Sequence, residues 1–278
     1  MDRPCSARTE AHPLVAHCIV GAVRSFLRHP SLQESIKWQL FHSTSPRYRA
    51  FMVASLNCTH GAAVGTNDER AVSRFELSSR DCSSNTTGMP EAIARMPLES
   101  FTIATDEVAT SPSPQCMPQG DSEAYEKYTS YFYMFAKAKT CYEQVVQYEK
   151  DTGVCFDWVV KTRPDDMWLS RAPELRRLPH DKITVPSHWS GLVGLTHIVE
   201  DHTFVIPRHL ASTFFNAIDG WSICPTMHEL TERCPFPFRG YQNKTRVMQS
   251  ECILGHYLNL HNITWQNNPK FRYRTFSG

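Results

Sequence analysis

The residues best suited to chemistry are Asp165 and Asp166, with Arg163 beside them, in the stretch FDWVVKTRPDD that starts at Phe156. Adjacent carboxylates are hard oxygen donors and suit Mg²⁺ or Mn²⁺. Such an ion suits a diphosphate, and Arg163 could hold phosphate or ribose directly. The plainer reading is a turn, Pro164-Asp165-Asp166, whose carboxylates bond local backbone N–H groups. Gly21 is a second candidate, because a glycine at a strand end lets a ligand approach the backbone or simply makes a turn. Arg24, three residues on, reaches a phosphate or a uracil edge, or is a surface charge.

These residues need a scaffold to present them. Phe156, Trp158, Val159 and Val160 are strand formers, and Pro164 lacks an N–H, so the strand is expected to stop near Thr162. In open α/β sheets ligands bind beyond such C-terminal strand ends. Leu14 to Val20 reads as a buried strand. Ser31-Leu32-Gln33-Glu34 reads as a capping box that opens a helix with Leu32, Ile36 and Leu40 inward. Tyr48 to Leu56 is the next strand, which implies parallel pairing through a right-handed crossover. From Asp121 to Lys150, Tyr125, Tyr128, Phe132, Phe135, Ala138, Tyr142 and Val145 recur at helical spacing and read as core. Shorter helices are expected over Glu69 to Leu77 and Pro90 to Met96, a strand over Phe101 to Ala104, and an irregular linker at SPSPQCMPQG.

Beyond the acidic turn, Lys182 to Val185 and Thr203 to Ile206 read as strands, and Trp189 to Thr196 as a flexible loop. Pro207 and Arg208 open a helix with Leu210, Phe214 and Ile218 inward, and Ser250 caps a late helix lined by Ile253, Leu254, Tyr257 and Leu258. Ile263 to Trp265 adds a last strand. The expected architecture is one α/β domain with a mostly parallel central sheet and helices on both faces, after an unstructured lead-in over residues 1–13.

The 278 residues are 41% hydrophobic with net charge +1, ordinary globular composition with no general affinity for nucleic acid. The ten cysteines form no Cys-x-x-Cys pair, and the 13 histidines are scattered, so no zinc spacing is present. Sequons at Asn57, Asn85, Asn243 and Asn262, with an even cysteine count, lean toward the secretory lumen. Cys18 and Cys155 fall in expected strands and read as small buried hydrophobes. Cys58, Cys82, Cys116, Cys224 and Cys234 are the better disulfide candidates. No run of 18 apolar residues crosses a membrane. The opening MDRPCSARTEAHP lacks the apolar core of a signal peptide, so a lumenal protein would need a targeting segment not present in this sequence. No Gly-x-x-x-x-Gly-Lys loop occurs, which argues against a P-loop kinase or sulfotransferase.

Three strings, HCIVGAVRSF, FDWVVKTRPDDMW and EDHTFVIPRHLA, together resemble glycosyltransferases of the GT-A fold, over about residues 14 to 265. They are similar to that family's opening strand and nucleotide loop, its strand leading to an acidic metal motif, and its acceptor-side strand and helix. In β-1,3-galactosyltransferases the comparable place reads Lys-Thr-Asp-Asp-Asp; Lys161-Thr162 and Asp165-Asp166 keep that shape. The usual Asp-x-Asp is here Arg163-x-Asp165-Asp166.

The resemblance implies a GT-A (Rossmann-like) domain over 14–278, with 14–166 the nucleotide-binding half and 167–278 the acceptor-side half. It implies sugar transfer from a nucleoside-diphosphate sugar to a glycan or glycoprotein acceptor in the Golgi lumen, assisted by Mn²⁺ or Mg²⁺ on Asp165 and Asp166. Gly21, Arg24, Arg163 and Asp165 would bind the nucleotide sugar. Glu251 takes the position of a catalytic base before a late helix, and Asp201 competes for that role; the plainer readings are a helix-start acid and a turn acid. His202 is a polar residue of the sheet edge or a metal ligand. His256 and His261 complete a metal site or are structural, and Trp189 and Trp221 stack on a sugar or pack in the core. Two other classes remain: a non-catalytic, lectin-like GT-A domain, motivated by the altered Asp-x-Asp, and a secreted disulfide-containing recognition domain.

Overall fold

Alternation of side chains along the first strand already sets up a two-faced core. A computed structural model describes residues 12–55, 89–104, 122–186, 191–193, 196–199, 201–221 and 250–275. The first apolar run forms β1 (Val15–Ala22). The chain then turns through α1 (Arg24–Arg28) and α2 (Pro30–Ser35), where Pro30 occupies the first turn and its missing N–H breaks no helical bond. Helical winding continues through a π-helical segment, Ile36–Phe41, and a last turn, His42–Thr44. Leu32, Ile36 and Leu40 are all fully buried, as their spacing requires. β2 (Tyr48–Ser55) pairs with β1 in parallel.

α3 (Met89–Ala94) leads to β3 (Leu98–Ile103), which starts before the expected Phe101 and pairs with β2. α4 (Ser122–Thr152) is the long aromatic-striped helix, with Phe132, Phe135, Ala138, Tyr142 and Val145 buried. It delivers the chain to β4 (Trp158–Thr162), followed by β5 (Asp166–Trp168). Then come β6 (Ile183–Pro186), β7 (Gly191–Val193), β8 (Thr196–Ile198), β9 (Phe204–Pro207), α5 (Arg208–Phe215), α6 (Ser250–Leu260), β10 (Trp265–Asn268) and β11 (Tyr273–Thr275).

Seven strands make one sheet in the order β10-β6-β9-β4-β1-β2-β3. Its pairings are parallel except at β9, which runs antiparallel to both β4 and β6. Ala16, Cys18, Val20, Phe51, Val53 and Val159 face α4, α5 and α6. Val15, Ile19, Met52, Trp158 and Val160 face the α1–α2 side with Phe26, Leu32 and Phe41. Burial on both faces is why these strands read as near-continuous apolar runs. The protein is thus α/β, with a mostly parallel central sheet flanked by helices.

Four expectations change. Ser31 does not cap a helix, because α2 already begins at Pro30, with His29 before it and no side-chain cap bond. Cys18 is not a plain core hydrophobe: it forms a disulfide with Cys141 of α4, with the two Cα atoms 5.8 Å apart. The reason is geometric, since Cys18 points to the α4 face of β1 and Cys141 lies on the inward stripe of α4. Cys155 is disulfide-bonded as well. Cys58, Cys82, Cys116, Cys224 and Cys234 lie outside the described residues, as does the expected helix at 69–77. Within the expected flexible loop, β7 and β8 pair as an antiparallel hairpin, because Leu192 and Val193 sit opposite His197 and Thr196. The last sheet strand is Trp265–Asn268 rather than 263–265. Beyond it, β11 pairs antiparallel with β5, a contact between segments about a hundred residues apart that local pattern does not announce.

Candidate functional site

The sheet order places a switch point between β1 and β4. From β1 the chain goes on to β2 at one side, while β4, at the other side, comes only after β3 and α4. The crevice beyond the C-terminal ends of such a pair is the common ligand position in open α/β sheets. The register Ile19 to Thr162 sets Gly21 level with Pro164. Gly21 has φ +151, and a Cβ there would lie 2.9 Å from Pro164 Cδ. The missing side chain of Gly21 is therefore filled by the proline of the acidic turn. Arg24 is the first residue of α1 just beyond, its side chain lying outside the described residues.

On the turn itself, Arg163 donates to Asp165 through two bonds, Nε to Oδ1 at 2.9 Å and Nη2 to Oδ2 at 2.7 Å. The side chains are 29% and 21% exposed, so solvent reaches the pair. Burial opposes charge on both. Their mutual hydrogen bonds and attraction outweigh it, holding the Asp165 carboxyl below its usual range and the Arg163 guanidinium above its own.

Asp166 behaves differently although it is the next residue. It starts β5, points inward and is fully buried. Its Oδ1 accepts from His202 Nδ1 at 3.1 Å and from Thr275 Oγ1 at 3.5 Å, and its Oδ2 from Thr203 Oγ1 at 3.4 Å. β11 supplies Thr275 by pairing it opposite Asp166. Burial works against a charged His202, yet the bond to Asp166 raises its pKa above the ordinary value. The His202 ring stacks on Tyr273 at 5.9 Å.

Asp201 and His202 reach this edge because β9 is reversed, with Phe204 opposite Lys161, so that the residues leading into β9 lie beyond the end of β4. Lys161 fastens them there. Its buried Nζ donates to the carbonyl of Asp201 and to that of His202, the latter at 3.2 Å. Burial lowers the Lys161 pKa to about 8. Asp201 Oδ1 lies 3.7 Å from His202 Nε2, and Arg163 Nη1 lies 3.5 Å from the same nitrogen. Sequence reasoning used Lys161 only as part of a resemblance. Its signal was a lysine inside the strand WVVKT; Thr203 and Thr275 carried none.

Glu251 is half-buried at the start of α6, where its backbone carbonyl accepts from Val199 N–H at 3.2 Å. That bond ties the start of α6 to the chain just ahead of Asp201. His256 is on α6, and His261 follows it with its ring 4.4 Å from that of Tyr257. Trp189 and the Trp221 side chain lie outside the described residues. A separate open cleft of about 620 Å³, lined by Trp38, His42, Arg171 and Glu174 among others, contains none of these acids.

Of the two acids assigned to a divalent cation, Asp165 has the exposure to serve and Asp166 does not. Among the described residues, no group of three or more His, Cys, Asp and Glu side chains is arranged to hold an ion. A single carboxylate fits an ion whose other ligands are phosphate and water, the usual habit of Mg²⁺ at nucleotides. The cluster sets the carboxylates of Asp165, Asp166 and Asp201 against three basic groups, Arg163, Lys161 and His202. No protein-family model matches the chain, and neither does any curated protein. Among the described residues no helix is long and apolar enough to cross a membrane.

Proposed function

We propose that the chain is a GT-A glycosyltransferase that moves a sugar from a nucleoside-diphosphate donor to a hydroxyl of a glycan or glycoprotein. The observation that carries this reading is the Arg163–Asp165 pair, held on a turn at the switch point between β1 and β4. A mostly parallel sheet is what the family resemblance leads one to expect, and the crevice is where a nucleotide fits such a sheet.

In the transfer, the acceptor oxygen bonds to the anomeric carbon, the bond from that carbon to the diphosphate oxygen breaks, and the hydroxyl proton passes to a carboxylate. Asp201 and Glu251 are the two candidate bases: Asp201 is buried beside His202 in the cluster, and half-buried Glu251 is linked to it through the main chain of Val199. Arg163 steadies the leaving diphosphate. A divalent cation, when bound, would neutralise diphosphate charge, with Asp165 as its protein ligand. Lys161 and Asp166 act as positioning residues, the first holding the chain at Asp201 and His202, the second the His202 ring.

The buried Cys18–Cys141 disulfide and the four sequons support an oxidising secretory compartment, the Golgi lumen in the family reading. A thermal-shift panel of UDP, GDP and CMP with and without Mn²⁺ tests the proposal. One nucleoside diphosphate is expected to raise Tm with Mn²⁺ present; no shift with any nucleotide contradicts it.

A further inference from the structure

We infer that Asn262 carries an N-linked glycan, and that this glycan covers the end of the central sheet at β10. The inference does not depend on the transferase reading. It needs the oxidising compartment that the Cys18–Cys141 disulfide supports.

Of the four sequons, Asn262-Ile263-Thr264 lies within the described residues, on the turn between α6 and β10. Asn262 has φ 55, in the left-handed region that asparagine tolerates better than most residues. The turn is anchored from inside. Ile263 is buried and its N–H donates to the Leu258 carbonyl at 2.9 Å, while the Asn262 N–H donates to that of Asn259 at 3.1 Å. With Ile263 inward, Asn262 and Thr264 on either side of it are both exposed. The amide and the hydroxyl that the modification requires therefore stand together at the surface, on a turn shaped by backbone bonds. In the modification, the Asn262 amide nitrogen bonds to the anomeric carbon of an oligosaccharide carried on a lipid diphosphate. The bond from that carbon to the diphosphate oxygen breaks, the amide gives up one proton, and the lipid diphosphate leaves.

Two features flank the turn and give the glycan something to cover. Leu260, the last residue of α6, is 51% exposed although its side chain is large and apolar. β10, which starts three residues after Asn262, is an end strand of the seven-stranded sheet; it pairs with β6 on one side and, among the described residues, with no strand on the other. The free side of an end strand is a template for pairing with another chain, and covering it is one way proteins prevent this. A bulky, hydrated oligosaccharide rooted between Leu260 and Trp265 is placed to do so.

The test uses the full chain made in a secretory host behind an added signal sequence. Peptides prepared after enzymatic deglycosylation in heavy-oxygen water are expected to show Asn262 converted to labelled aspartate in most molecules. Thr264→Ala destroys the sequon, yet leaves Asn262 on its turn and keeps the backbone bond from Ile183 N–H to the Thr264 carbonyl at 3.0 Å, so it should abolish the label without unfolding the chain. Thr264→Ser keeps the sequon and should keep the label. By size-exclusion chromatography with light scattering, Thr264→Ala is expected to form larger assemblies than wild type and Thr264→Ser. Asn262→Gly adopts φ 55 without strain and decides the matter should Thr264→Ala fold poorly by circular dichroism. Unlabelled Asn262 in wild type overturns the site, whether or not the Cys18–Cys141 disulfide has formed. A labelled wild type whose folded, sequon-free variants assemble no further than it does overturns the covering role.

Discussion

Gly21 and Pro164 interlock where β1 and β4 end, the proline ring occupying the space a side chain on Gly21 would need. This contact fixes the height of the acidic turn against the first strand. It also gives Gly21 a reason to be glycine that involves no ligand: its φ of +151 and the 2.9 Å approach each disfavour a Cβ.

Gly21→Ala is therefore expected to destabilise the fold by about 1–3 kcal/mol, from backbone strain and displacement of Pro164. Urea unfolding of variant and wild type measures this. A midpoint unchanged from wild type would show that the turn does not depend on the contact.

Much of the fold is legible in the sequence. The buried runs of β1 and β2 and the stripe of α4 declare themselves by period, and Pro164 marks the end of β4. The less legible parts depend on distant partners. Asp165 and Asp166 look equivalent as neighbours, but one lies on the turn and the other opens β5, so they face solvent and interior respectively. Only the β5–β11 pairing, set by residues about a hundred positions later, makes Asp166 an anchor for His202. Lys161 likewise shows its role only once β9 is seen to run backwards.

Reducing the Cys18–Cys141 disulfide should cost about 2–5 kcal/mol, because it closes a long loop in the unfolded chain; the two cysteines are 123 residues apart. Mass spectrometry of non-reduced peptides should recover this pair, and Cys141→Ser should melt earlier than wild type. Free thiols at both positions in protein from its native compartment would contradict the assignment and the lumenal reading together.

His17, buried on the opposite face of β1, supplies a pH dependence. Thr44 Oγ1 donates to the Phe41 carbonyl and accepts from His17 Nε2 at 3.1 Å, while His17 Nδ1 has no hydrogen-bond partner. Burial lowers the pKa of His17 from 6.5 to about 3. The unfolded chain takes up this proton first, so the associated stability is complete above about pH 6.5 and is lost as pH falls toward 3, with about 2 kcal/mol gone at pH 5. His17→Gln keeps a donor without titrating and should flatten the stability profile between pH 6.5 and 4, measured by urea unfolding. An equally steep profile in the variant would place the acid sensitivity elsewhere.

The central claim is that Asp165 binds the cation of a nucleotide sugar at the switch point. The direct measurement is calorimetric titration of UDP with Mn²⁺ into wild type and Asp165→Asn, both checked by circular dichroism. The substitution keeps size and removes charge at a solvent-reached turn, so the fold should persist while Mn²⁺-dependent UDP affinity falls by about tenfold or more. Equal affinity in the two proteins would contradict the account.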